Sequence, residues 1–145
     1  MFLVEDDRGL VVQGFADEVD LLDDTVLMFE ELHEYSGRPK RPGREKHAVR
    51  LEDVFGGEPV ASCVPAVLLL PQRADAQESV LEPVSGSEAM FELVPNVLLT
   101  EPVSSQHHLN VLGALANGVP CYRLHTGRDL TAATALIDRL LAATS

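Results

Sequence analysis

Short apolar runs alternate with charged or turn-forming segments along the whole chain, and their spacing sets the elements to expect. Phe2-Leu3-Val4 and Leu10-Val11-Val12 are β-prone runs on either side of Glu5-Asp6-Asp7-Arg8-Gly9, a stretch of turn formers, so a β-hairpin is predicted. Asp23 or Asp24 is placed to cap a helix through Val26, Leu27, Phe29 and Leu32, ending near Gly37 and Pro39. Val49 and Leu51 alternate with charged neighbours as a short strand does, and Leu51–Phe55 suits a helical turn before Gly56-Gly57. Pro65–Pro71 is a continuous apolar run, too short for a helix and suited to a strand covered on both faces. It is the candidate central strand, with Ser79–Glu82 as its neighbour.

Ser85 and Glu88 have capping-box spacing, in which hydroxyl and carboxylate each satisfy an orphan backbone N–H, ahead of a helix through Ala89, Met90, Leu93 and Val94. A further helix opens after Ser104 or Ser105, carries Leu109, Leu112, Leu115 and Ala116 on one face, and stops at Gly118 with Pro120 beyond. Cys121–Leu124 reads as the last strand and Gly127 as a turn. From an Asp129 cap, Leu130, Ala133, Ile137, Leu140 and Leu141 line one face of a terminal helix. The pattern predicts an α/β (or α+β) single domain over 1–145, with a mixed sheet of about four or five short strands and about four helices.

At 145 residues and 46% hydrophobic, the chain has the material for a real core. Its longest mostly apolar stretch, 60–70, is interrupted by Ser62 and Pro65 and falls far short of the ~20 residues a spanning helix needs. Met1–Val4 meets Glu5-Asp6-Asp7 without a basic region or an extended apolar core, which points to a cytoplasmic protein. A net charge of −12 opposes nucleic-acid binding, because phosphate contacts supply most of that affinity. Cys63 and Cys121 lie far apart with no C-x-x-C or His/Cys cluster, so no metal is expected and both read as buried, reduced thiols.

The charge is uneven. Residues 1–34 carry eleven acids and one arginine, whereas 38–50 carry six Lys/Arg against Glu45. In that island Arg38, Lys40, Arg44 and Lys46 are the candidate phosphate ligands, since clustered cations on a Pro/Gly-punctuated loop are how a segment closes over phosphate oxygens. The competing reading is a solvated loop that offsets the acidic first third. Arg123 and His125 alternate on the last strand and so share a face, either toward a cleft or in a structural role. His107 and His108 point about 100° apart on a helix and cannot act as an i, i+4 metal pair. No G-x-S-x-G elbow is present, and no Cys has a nearby His.

The pattern of 58–143 resembles the C-terminal half of the HPr kinase/phosphorylase-like proteins, P-loop kinases related in fold to phosphoenolpyruvate carboxykinase. The residues that carry the resemblance are Pro65–Leu70, then Leu81-Glu82-Pro83-Val84-Ser85 leading into the 88–94 helix, then Val119–Gly127 with an Asp129-led helix. Val12-Gln13-Gly14-Phe15 and Asp23–Leu32 are similar to that group's short strand, Asp-rich turn and Leu/Phe helix.

The family's phosphate loop, G-x-x-x-x-G-K-[ST], holds phosphates with backbone N–H groups, a lysine and a Mg²⁺-binding hydroxyl. No Gly-Lys-Ser/Thr occurs in this sequence. The family's acidic pair, which handles metal and proton transfer, has one candidate match in Asp6 and Asp7. Asp7 lies only seven positions before Gly14, however, which leaves room for a hairpin return and little for the extra strand that the family places between the two features, so a hairpin turn is expected, with a metal-binding pair as the alternative.

The resemblance implies a P-loop-less binding or regulatory module that needs no cofactor alone. The alternatives are half of a split phosphotransferase, using ATP and Mg²⁺ once a partner supplies the loop, and a structural or assembly subunit. A homodimer, or a chain supplying the missing half, is expected to cover the apolar strand and its sheet edge.

Overall fold

The structure is a computed structural model that describes residues 2–6, 9–14, 18–40, 43, 45–58, 60–96 and 102–144, with the backbone alone for 2–6, 9, 96 and 102–104. In chain order they form β1 (Phe2–Asp6), β2 (Gly9–Gln13), β3 (Val19–Leu21), α1 (Asp23–Met28), a 3-10 helix (Glu30–Tyr35) and β4 (His47–Val49). There follow α2 (Leu51–Phe55), β5 (Ser62–Cys63), β6 (Leu68–Arg73), β7 (Val80–Val84), α3 (Gly86–Leu93) and a second 3-10 turn (Val94–Asn96). The last elements are α4 (Pro102–Gly118), β8 (Cys121–Thr126) and α5 (Leu130–Thr144).

The mixed α/β class is as expected, with the strands distributed over three small sheets ordered β1-β2-β5, β3-β4 and β6-β8-β7. β1 and β2 are hydrogen-bonded neighbours, in keeping with the hairpin reading. Two compact units emerge, Gln13–Ser62 and Phe2–Val12 with Cys63–Ser145. No helix among the described residues is long and apolar enough to cross a membrane.

In the Gln13–Ser62 unit, β3 and β4 pair antiparallel, Val19 opposite Val49 and Leu21 opposite His47. The core is Val26, Leu32, Tyr35 and Val49, with Leu21 and Val54 packed against it. The single helix expected through Leu32 is broken at Phe29, which is extended at φ −113°, ψ 121°. Geometry explains the break. On a continuous α-helix Leu32 would lie about 240° and Tyr35 about 180° around from Val26, so the three could not share a core. One extended residue followed by a 3-10 helix, in which i and i+3 eclipse, brings Leu32 and Tyr35 onto one line facing that core. The expected Asp cap is also not made: the N-cap position is Leu22, with no side-chain hydrogen bond, and Asp23 and Asp24 occupy the first turn. α2 ends at Gly56, whose N–H donates to Glu52 O and whose φ of 69° with ψ 177° is a conformation open in practice to glycine alone.

In the other unit the apolar run 65–70 is not the central strand. β8 takes that place, parallel to β6 and antiparallel to β7. β6 begins only at Leu68; along it Leu70 is buried, while Pro71, Gln72 and Arg73 are exposed. Leu68 N–H donates to Pro120 O and Ala74 N–H to Thr126 O, so alternation turns the nitrogen of Pro71 away from β8. The same phase places Pro83, opposite Tyr122, in a pair without ladder bonds, its nitrogen also turned outward. Both edges of the sheet thus carry a proline where a donor would otherwise await another strand, which opposes edge-to-edge pairing.

One face of this sheet presents Cys121, Leu68, Leu70 and Val84 to Ala89, Met90 and Leu93 of α3 and Ala116 of α4. The capping box forms as expected: Ser85 Oγ accepts from Glu88 N–H at 3.2 Å, and Glu88 Oε2 accepts from Ser85 N–H at 2.9 Å. Asp129 caps α5 by accepting from Ala132 N–H at 2.9 Å. Of the face expected on α5 only Ala133 is buried; Leu130 and Leu141 are exposed. Cys121 is buried, donating to Ala116 O, but Cys63 is exposed, contrary to expectation, because β5 is too short to carry it under a neighbour.

Gly127 turns the chain for lack of a side chain, since its φ is not positive: an added Cβ would lie 2.5 Å from Glu78 O and 2.6 Å from Gln77 O. At Gly86 a Cβ would sit 2.6 Å from Ala116 O. These are backbone neighbours that cannot swing away. Gly127→Ala and Gly86→Ala are each expected to destabilise by about 1–3 kcal/mol, as overpacking does. Gly37→Ala, with nothing within 4 Å, is expected to leave the thermal midpoint unchanged or slightly raised. Equal midpoints for all three would contradict the close approaches.

Candidate functional site

In the Gln13–Ser62 unit, strand alternation turns His47 to the same side as Val49, and both are buried. Its Nε2 lies 2.6 Å from Asp23 Oδ1, and since a carboxylate only accepts, Nε2–H is the donor. His47 Nδ1 is buried with no hydrogen-bond partner. The second oxygen of Asp23, Oδ2, accepts from Lys40 Nζ at 2.5 Å. Asp23 thus joins the start of α1, the loop before β4 and β4 itself. The two donors, Lys40 first and His47 second, hold its carboxyl below the usual carboxylate range, although its side chain is 60% exposed.

Leu22, Asp23, Asp24, Lys40 and Glu45 line an open cleft of about 500 Å³. Three carboxylates and one ammonium make its wall electronegative. Of the expected phosphate ligands, Lys40 is on this cleft and is held by Asp23. Arg38 pairs with Glu34 at 3.0 Å and stacks over the Tyr35 ring at 4.0 Å. Lys46 is exposed beside β4. Arg44 lies outside the described residues. Arg38 and Lys40 are therefore committed to different carboxylates.

Arg123 and His125 do share a face of β8 and meet at Glu82 on β7. Glu82 Oε2 accepts from Arg123 Nη1 at 3.2 Å and from His125 Nε2 at 3.0 Å, and Arg123 Nη2 donates to Glu92 of α3. The register makes this meeting: Glu82 lies opposite Arg123, two pairs along from Val80 opposite His125 and so on the same face. His125 and then Arg123 hold Glu82 below the usual range, and Ser85, through its backbone N–H and then its hydroxyl, does the same for Glu88. The cluster is half-exposed and internally paired, with Arg123 drawn between two acids.

Asp6 closes β1, its side chain not described, and Asp7 lies outside the described residues. His107 and His108 sit in the second turn of α4, with ring centroids 6.3 Å apart. Among the described residues no three His, Cys, Asp or Glu side chains converge as metal ligands do.

Reading the sequence by motif passes over His47, a lone histidine, and treats Asp23 only as a cap. The signal for His47 was present: it stands two before Val49 on a short strand, so an inward Val49 carries it inward too. Comparison of the chain with protein-family models, with curated proteins and with solved structures finds no match.

A pH dependence follows from the three depressed carboxyls. Their folded-state pKa lies below the unfolded value, so the unfolded chain takes up protons first as pH falls, and the stability they contribute is lost on the acid side. The thermal midpoint is expected to stay level from about pH 7 to 5 and to drop between about pH 4.5 and 2. Glu82→Gln and Asp23→Asn should each shallow that drop. A slope unchanged in both variants would show that the pairs do not persist in solution.

Proposed function

We propose that the chain is a binding or regulatory module of the HPr-kinase-like kind, set in the cytoplasm and catalytic only when a partner chain supplies the phosphate loop and, with it, ATP and Mg²⁺. The observation that supports this reading is the state of Lys40. It stands at an open cleft with its ammonium held by Asp23, whose other oxygen is held by buried His47. A phosphate group reaching Lys40 must displace a carboxylate belonging to the chain itself. That makes Asp23 an internal competitor of the ligand, the arrangement expected of a regulated site rather than of an open phosphate cradle. Free thiols at exposed Cys63 and buried Cys121 fit a reducing compartment.

Calorimetric titration with inorganic pyrophosphate at low ionic strength tests the competition. Wild type is expected to bind weakly, and Asp23→Asn about tenfold more tightly as Lys40 is released, with the gain abolished by adding Lys40→Ala and by salt. Equal affinity for wild type and Asp23→Asn, or ATP turnover by the isolated wild-type chain, would overturn the proposal.

A homodimer or a heteromeric partner belongs to the same reading. Phe91 on α3, 78% exposed, and Val80 on β7, 56% exposed, support association through side-chain faces, as the proline-bearing edges of that sheet do not invite strand addition. A specific complex should bury more than roughly 1,000 Å² in total. Sedimentation equilibrium is expected to show concentration-dependent association that Phe91→Ser weakens. A monomer across the full range, with no partner recovered from the native host, would leave a self-sufficient chain.

A further inference from the structure

α1 turns only Val26 into its core. Leu27 and Met28 are each 62% exposed, Phe29 beside them is 40% exposed, and Leu22 at the N-cap is 47% exposed. Residues four apart on a helix are surface neighbours, so Asp23 adjoins Leu27 and Asp24 adjoins Met28. Beyond Phe29 the 3-10 helix opens with exposed Glu30 and Glu31. An apolar strip of three consecutive side chains is thus framed by carboxylates before and behind. Leu27, Met28 and Phe29 are not among the residues that form or pack against the unit's core.

The charges around the strip show what fits it. The chain's own cations already seat on two acids of this segment, Lys40 on Asp23 and Arg38 on Glu34. Among the described residues no cation pairs with Asp24, Glu30 or Glu31. A second copy is a poor occupant, because it would bring the same carboxylates of a chain with net charge −12 against them. An anionic lipid surface is repelled for the same reason. A cationic segment with apolar side chains is complementary in both respects, and a Met-containing surface adapts to varied apolar shapes.

We propose that Leu27, Met28 and Phe29, framed by Asp24, Glu30 and Glu31, form the docking surface for a basic amphipathic segment of a partner protein. Its apolar side chains cover the strip and its Lys or Arg side chains meet the carboxylates. The proposal rests on reading the chain as a binding module, and it does not involve the Lys40 cleft's response to phosphate.

The test uses the full chain and two labelled peptides of about 14 residues, equal in Lys and Leu content, one with helical amphipathic spacing and one scrambled. In fluorescence anisotropy the amphipathic peptide is expected to bind at least about tenfold more tightly than the scrambled one. Leu27→Ser with Met28→Ser should erase that preference. Glu30→Gln with Glu31→Gln should weaken both peptides and flatten their salt dependence. Val64→Ser, at an exposed apolar residue of the other unit, should change nothing. Equal binding of the two peptides by wild type would reduce the effect to bulk charge and overturn the proposal, as would an unchanged preference in the Leu27/Met28 variant. Circular dichroism checks that these surface variants stay folded. The pyrophosphate response of Asp23→Asn is read separately, so failure of one experiment leaves the other standing.

Discussion

The hydrogen bond from His47 to Asp23 holds together the parts of the Gln13–Ser62 unit that matter for its chemistry. β4 is three residues long, and alternation sends His47 and Val49 inward together. A buried imidazole needs a partner, and burying it unpaired is costly. Asp23 meets that need from the first turn of α1, and it does so in place of capping its own helix. Because its other oxygen holds Lys40, the loop before β4 is tied to the same carboxylate. The state of Lys40 and the wall of the cleft follow from where that carboxylate is drawn.

The same rule acts in the β6-β8-β7 sheet with a different outcome. Alternation puts Arg123 and His125 on the face that Cys121 turns toward α3 and α4. At the Cys121 end that face is covered and apolar. Further along, it emerges from beneath the helices, and Glu82 and Glu92 supply partners for the cations that stand there. Such half-exposed pairs contribute little to stability by themselves, since solvent screens them. What they do is orient: the guanidinium is held between two carboxylates on different elements, and the imidazole on one of the two.

Edges and faces divide the work of this sheet. Pro71 and Pro83 turn their nitrogens outward on the two edge strands, removing donors that a foreign strand would use. Surface apolar groups are instead presented as side chains on helices and strand ends, Phe91 and Val80 among them. In the Gln13–Ser62 unit the exposed apolar residues Leu27, Met28 and Phe29 stand among acids.

Much of the local structure was legible in the sequence. The capping box at Ser85 and Glu88, the Asp129 cap, the Leu112/Leu115/Ala116 face and the Gly56 stop depend on neighbours within a few residues, and local backbone chemistry decides them. The pairing of Arg123 with His125 on one face was legible for the same reason, as strand period alone determines it. Three things required tertiary structure. Which strand is central depends on pairing across 37 to 53 positions, and the apolar run at 68–70 lost that place to β8, a strand whose polar residues find partners only once folded. The break at Phe29 exists because Val26, Leu32 and Tyr35 must reach one core, a demand no local propensity expresses. The site itself joins Asp23, Lys40 and His47 across seventeen and twenty-four positions. Residue types at that separation carry no spacing signal, and a carboxylate's choice between capping its helix and holding a distant imidazole is made by burial.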